Sequence, residues 1–405
     1  MNASEWCLPL SELRLSGSPL ESLLYTFLFP PIFVFGIVGN ALNLFVLTSG
    51  SRVSRPSMLL ALLAWCDVSF LCLVLPHSLA SFDFFALSDL FRSLYLPSKI
   101  HLIAIVNWTS AIAIWLVVLV CFERVAGVKS PFRALSSPST VSLKIQLIPL
   151  LSLTGLLTLY QHFAYECFAK RLCRGAQLVA VCLDLDADAW PANRLNPTPI
   201  AIRRLIRGTR VIHATAAILV PVALLLVLNL LLLYYLRNSN AFSSAVPSSL
   251  KDASESPNRV GARMWRSGEP SLPYIQALFR RHSDQVRQQK TEHRVAVTVA
   301  AIVSAFTITQ APSAVLLALS ALWPSVFYSR ASGDRGSIWY DVNTMASFLV
   351  IVGKSLNLVV FCLSSSNFRH RLIYQLRARC GVRGLQRASS SNPSGSTHRH
   401  ATVVV

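Results

Sequence analysis

The stretch "LVVLVCFERVAGVKSPFRA", residues 116–134, decides how the chain is read. An apolar run ends in Glu123 and Arg124, and the basic residues Lys129 and Arg133 follow. A charge pair at such a place either marks where a membrane helix meets water or is a switch set at the membrane edge. Both readings need a membrane span, and the rest of the chain supplies more. Apolar stretches long enough to cross ~30 Å of hydrocarbon run at about 23–49, 57–80, 99–122, 143–163, 211–236, 295–323 and 343–363, which makes seven. The segment "SFDFFALSDLFRSLYLPS" between the second and third carries Asp83, Asp89 and Arg92 and reads as a loop.

Composition points the same way. Of 405 residues, 53% are hydrophobic and 14% charged, with a mean hydropathy of +0.51. Soluble domains carry about 25% charged residues. The expected fold is therefore all-α, a seven-transmembrane helix bundle. The organisation that follows is a short N-terminal segment (1–22), the bundle (23–363) with a polar loop at 237–290, an amphipathic helix (364–378) and a disordered tail (379–405).

Topology follows from charge. "MNASEWCLPLSELRLSGS" lacks a basic start followed by an apolar block, so no cleavable signal is expected and the first span serves as its own. The segment before that span is net acidic, while the tail after Leu363 holds seven arginines from Arg369 to Arg399 and no acid. Basic segments favour the cytoplasm. The expected arrangement is a multi-pass protein of the plasma membrane, amino terminus outside and carboxyl terminus inside. The 164–210 loop is basic although it falls outside, but long loops obey the charge rule weakly. The net charge of +19 would suggest nucleic acid in a soluble protein. Here the basic excess sits largely in the tail and the 237–290 loop, so anionic membrane lipid is the expected partner and nucleic acid is not.

Ionisable and amide side chains inside hydrocarbon are costly and mark function. The spans hold Asn40 in "GIVGNALNLFVL", Asp67 in "LLALLAWCDVSFLCLVLP", Asn229 in "LVLNLLLLYYLR", Gln310 in "FTITQAPSA", and Lys354 with Asn357 in "GKSLNLVVFCLSSSNFR". Of these, Asn40, Asp67, Lys354 and Asn357 read as a buried polar core where the spans meet.

That set, with Glu123 and Arg124, resembles the rhodopsin-like G-protein-coupled receptors over roughly residues 25–377. "GN" in span one, "LxxxD" in span two, "ERVxxVxSPxRA" after span three, "FxxTQxP" in span six, "NLVVF" in span seven and the following "NFR" stand in the family's order. "LNLLLLYYLR" and "NLVVFCLSSSNFRHRL" are most similar to invertebrate FMRFamide-type neuropeptide receptors. Two positions depart from the pattern: Val125 replaces an aromatic residue, and "NLVVF" lacks the usual proline.

The resemblance implies a receptor that binds an extracellular peptide ligand, of Arg-Phe-amide type, and activates a heterotrimeric G protein. It implies that Arg124 bridges Glu123 and Glu292 at rest, with Asn357 and Phe361 in the same cytoplasmic switch. Glu292 lies 20 residues before Pro312, about 30 Å along a helix. Phe306, Gln310 and Pro312 are the implied hinge of span six. In the family the acid of span two helps hold sodium, but the matching oxygen ligands are replaced by Ala113 and Gly353. Lys354 lies three residues before Asn357 on the same helix face. An unpaired lysine at that depth would cost several kcal/mol or lose its proton. Lys354 is therefore expected to pair with Asp67 in place of sodium, with Asn40 and Asn357 as hydrogen-bond partners; the alternative is that it reaches water in a cavity. A retinal lysine would lie six residues before the asparagine, where this chain has Ile351.

Cys7, Cys167, Cys173 and Cys182 fall outside the membrane, and four cysteines allow three pairings. The family's usual partner cysteine in span three is Lys99 here, so that bridge cannot form. Asn2 heads the glycosylation sequon "NAS", and Cys380 after the amphipathic helix is a palmitoylation site or a free thiol. "VCLDLDADAW" sets Asp184, Asp186 and Asp188 at alternate positions, one face of an extended strand. With Trp339 and Asp341 they are candidates for the guanidinium and ring of the ligand, or they balance nearby arginines. Phe368, Leu372 and Leu376 recur every four residues between arginines, the pattern of a helix lying on the membrane. The serines of "RASSSNPSGSTHRH" would serve kinases and arrestin, or form a plain linker. No cofactor is expected, and no catalytic constellation appears. The competing class is a proton- or ion-coupled transporter using Asp67 and Lys354, although neither internal repeats nor broken helices in matching halves accompany them.

Overall fold

The computed structural model describes residues 7–49, 55–129, 140–187, 189–190, 194–245, 296–320 and 333–380. Within them the chain is a bundle of long helices. Span one is Pro19–Thr48, span two Arg55–Leu79 and span three Asp89–Lys129. Span four is Thr140–Leu159, and span five is Ile200–His213 continuing through Ala214–Leu219 into Val220–Ala245. Span six is Ala296–Ser320, and span seven is Gly333–Ser355 followed, after a 49° bend, by Asn357–Ser364. An eighth helix, Ser366–Cys380, closes the described chain. Five of these helices are long and apolar enough to cross a membrane, and the bent pair of span seven makes a sixth. Thr140–Leu159, with 20 residues, stands against span three in the fourth position.

Span three is the axis of the bundle and packs on spans two, four and five. The largest core cluster runs along it from Ile112 to Cys121 and takes Leu59 and Leu63 from span two, Leu225 from span five and Val303 and Phe306 from span six. Small residues set the closest approaches, as they do where helices pack without a hydrophobic drive between them. A Cβ on Gly36 of span one would lie 2.6 Å from Ser355 Oγ of span seven. One on Gly353 would lie only 2.2 Å from Thr309 Oγ1 of span six.

Three boundaries differ from the sequence expectation, each for a local reason. Span three begins at Asp89, ten residues before the apolar run. Ser88 Oγ accepts the Phe91 N–H at 3.4 Å, and Asp89 suits the positive end of the helix dipole. The helix has 41 residues, about 60 Å, so its charged first turns extend past the hydrocarbon. Span five begins at Ile200, where four arginines ride an amphipathic helix in a segment expected to be loop. At its other end it remains helical to Ala245, into the segment expected to be polar loop.

The helical bundle also carries a β-hairpin. Strands β1 (Tyr165–Leu172) and β2 (Gln177–Asp184) pair antiparallel between spans four and five. A second, two-residue ribbon pairs Ala189–Trp190 with Arg194–Leu195. The eighth helix begins where Ser365 Oγ accepts the Phe368 N–H at 3.2 Å. Phe368, 6% exposed, stacks on Phe361 of span seven at 5.1 Å between ring centroids. That contact fixes the apolar face of the helix to the bundle, while Arg369 and Arg371 stay exposed.

Candidate functional site

Asp67, Lys354, Asn357 and Asn40 converge midway along the bundle, whereas Asn229 donates to Ser304 of span six at 3.0 Å. Lys354 Nζ lies 2.9 Å from Asp67 Oδ1, with both side chains 1% exposed. Asn357 Nδ2 donates to Asp67 Oδ2 at 2.6 Å, so both carboxylate oxygens are occupied. The ammonium also lies 4.7 Å from the centre of the Phe70 ring, a cation–π contact. Asn40 reaches this cluster through the main chain, donating to the Lys354 carbonyl at 3.1 Å and the Gly36 carbonyl at 3.0 Å. Because Asn40 holds a backbone oxygen next to the bend of span seven, it ties span one to the place where that helix breaks. Gly353 and Ala113 contribute no side-chain oxygen to the cluster.

At one end of the bundle, Glu123 and Arg124 part company. Glu123 meets Arg55 of span two at 3.3 Å instead of bridging to its neighbour. Arg55 also donates to Gln146 of span four. Arg124 is 9% exposed, and its expected partner Glu292 lies outside the described residues. Val125 packs against Leu232 of span five and Ala296 and Ala300 of span six, which places this turn where the three spans meet. Thr298 Oγ1 of span six donates to the Ser364 carbonyl of span seven at 3.3 Å.

At the opposite, hairpin end, spans one, two, three, five, six and seven enclose a cavity of about 430 Å³. Of the residues singled out in the sequence, Gln310 of the span-six hinge lines it, while Phe306 lies in the core and Pro312 within the helix. Asp184, Asp186, Trp339 and Asp341 do not line it, and Asp188 is outside the described residues. Strand β2 ends at Asp184, and Asp186 sits in the turn beyond it, so the two do not share a strand face. Arg210 pairs with Asp184 at 3.1 Å and with Asp186 at 3.4 Å, and Arg207 pairs with Asp186 at 3.0 Å. Burial raises the Asp186 pKa, while the guanidinium groups of Arg210 and Arg207 pull it down. These acids anchor the loop to the arginine face of span five.

The carboxylate that does line the cavity is Glu21, 4% exposed. His77 Nε2 lies 3.0 Å from Glu21 Oε1, and the Tyr340 hydroxyl donates to Oε2 at 2.7 Å. The Gly17 N–H donates to the same oxygen. His77 Nδ1 lies 3.0 Å from the Tyr95 hydroxyl, extending the network from span one through span two to span three. In the sequence Glu21 is one of several acids before the first span. The usable signal was "SPLE", residues 18–21: a serine cap, proline in the first turn and glutamate three residues on start a helix. Ser18 Oγ does accept the Glu21 N–H, at 3.1 Å.

The N-terminal segment is strapped over this end. Cys7 bonds to Cys173 at the hairpin turn, and Cys167 bonds to Cys182 across the hairpin register. Leu8 and Gln177 exchange two hydrogen bonds, at 2.8 and 3.0 Å. Arg92, 4% exposed, donates to the carbonyls of Leu178, Leu13 and Ala86 at 2.6, 2.7 and 2.7 Å. One guanidinium thus joins the hairpin, the strap and the connection before span three. With Lys99 in place of a span-three cysteine, these contacts tie the hairpin to the bundle. Asn2 lies outside the described residues, as does the side chain of Cys380.

The chain is 33% identical, over 404 residues, to a Caenorhabditis elegans protein named as a candidate G-protein coupled receptor. The match covers 100% of this chain and 83% of that protein. No protein-family model matches the chain. A helical bundle with several membrane spans and a relative matched along the whole of this chain have one reading: the chain belongs to the G-protein coupled receptors.

Proposed function

We propose that this is a rhodopsin-like receptor of the plasma membrane, with the hairpin end outside and the eighth helix inside, that binds an extracellular ligand in the cavity and activates a heterotrimeric G protein. The observation that carries the reading is the placement of the buried pair Asp67–Lys354 in the interior of a bundle that has an open cavity at one end and the buried Arg124 at the other. A ligand that shifts spans six and seven in the cavity acts on helices that reach the opposite end. There, Val125 packs against span six. Outward movement of span six carries Glu292 away from Arg124, breaks the lock of Arg124 with Glu292 and Glu123, and opens a pocket for the G protein.

An amidated peptide of Arg-Phe type suits the cavity, which combines aromatic walls at Tyr25, Phe70 and Tyr95 with polar groups at Asn107, Gln310 and Asn343. Asp184 and Asp186 face arginines of the protein itself, and Glu21 is the carboxylate that lines the cavity among the described residues. Arrestin and anionic lipid are the further partners at the inner face, the lipid meeting the exposed arginines of the eighth helix.

The experiment is nucleotide exchange on a panel of purified heterotrimeric G proteins, with the receptor reconstituted in lipid and a library of amidated peptides added. Exchange on at least one G protein that is lost in Arg124→Ala supports the reading. Exchange that is unchanged by Arg124→Ala contradicts it.

A further inference from the structure

Among the described residues the cavity is lined by one carboxylate, Glu21, and one lysine, Lys99, and their surroundings differ. The oxygens of Glu21 are occupied by His77, Tyr340 and the Gly17 N–H. Lys99 is half-buried on span three, and no acid pairs with it among the described residues. It lies four residues after Tyr95 on the same helix face, but the Tyr95 hydroxyl is engaged by His77. The loop acids Asp184 and Asp186 are engaged as well, by Arg210 and Arg207. An ammonium group drawn partly out of water without a counter-ion is a costly arrangement that an incoming acid relieves. Two more lining residues point the same way. His213 and Gln310, 3% and 4% exposed, each retain a buried side-chain nitrogen with no hydrogen-bond partner among the described residues.

We propose that Lys99 is an acid-recognition site, and that the ligand carries an anionic group, a carboxylate, sulfate or phosphate, that pairs with its ammonium. A lysine in the wall of the cavity concentrates anionic ligands there and orients them. The ligand then presents its acid to span three and the remainder of its length to the polar and aromatic groups of spans five, six and seven. The inference rests on the reading of this cavity as the ligand site, and its test requires no signalling, so the two can fail separately.

The test places a cysteine at Ile103, one turn inward of Lys99, which lines the cavity and is 48% exposed. In membranes, an anionic and a cationic methanethiosulfonate of similar size are reacted with Ile103→Cys, and the parent protein supplies the background. Adding Lys99→Gln should lower the anion-to-cation rate ratio about tenfold, and Lys99→Arg should keep it. A ratio that Lys99→Gln leaves unchanged would overturn the proposal, as would a cysteine at 103 that reacts with neither reagent. Short N-acetylated, C-terminally amidated peptides ending in glutamate, phosphoserine or sulfotyrosine identify the acid by which of them slows the labelling. If none slows it more than its glutamine, serine or tyrosine counterpart, the proposal fails.

Discussion

Lys354 and Asp67 form an ion pair 2.9 Å long at which both side chains are 1% exposed, inside a bundle that crosses a membrane. Burying two charges is expensive, and their attraction offsets the cost only while both remain. Lys354→Met alone or Asp67→Asn alone should therefore lower stability by about 3–5 kcal/mol, because each leaves an uncompensated buried charge. The double variant should recover most of that loss. Thermal unfolding of the purified protein in detergent measures all three, and a double variant as unstable as the sum of the singles would contradict the pairing.

The same pair bears on sodium. Lys354 and Asn357 occupy both oxygens of Asp67, and Ala113 and Gly353 offer no side-chain oxygen. Replacing sodium with a bulky organic cation at constant ionic strength should leave the Tm unchanged. A sodium-dependent rise in Tm that Asp67→Asn abolishes would show the ion competing successfully with the lysine.

These intramembrane contacts were legible in the sequence because hydrocarbon leaves few choices. A lysine and an aspartate in separate spans either meet or remain at high cost, and the three-residue step from Lys354 to Asn357 puts them on one face. The hairpin end was less legible. Period-two spacing of Asp184 and Asp186 assumed an extended chain, but the strand stops and turns between them. The arginines that capture them belong to a helix whose start, Ile200, lies outside the apolar run that defined span five. Glu21, His77, Tyr95 and Tyr340 come from four spans, and no local pattern announces such a meeting. The cysteine pairing depends on where the N-terminal segment crosses the hairpin, which four isolated positions cannot reveal.

The two disulfides should differ in weight. Cys7–Cys173 closes a loop with a sequence separation of 166, whereas Cys167–Cys182 closes one of 15. Restricting the unfolded chain is worth about 3 kcal/mol for a 15-residue loop and about 4.7 kcal/mol for a 100-residue loop. Replacing Cys7 and Cys173 by serine should cost about 1–2 kcal/mol more than replacing Cys167 and Cys182. Hydrogen exchange should also show the N-terminal strap and hairpin opening in the first variant, while Leu8 and Gln177 stay protected in the second. Equal losses in both would mean that the Arg92 clamp alone holds the strap.

The most direct measurement of receptor function is basal and peptide-stimulated G-protein activation in cells, read with a panel of sensors at matched surface levels of wild type, Glu292→Ala and Arg124→Ala. The account predicts higher basal activation for Glu292→Ala, since span six loses its tie to the Arg124 turn, and loss of activation for Arg124→Ala. Sensors that respond to the wild type and to both variants alike would contradict it and reduce Arg124 to an anchor at the membrane edge.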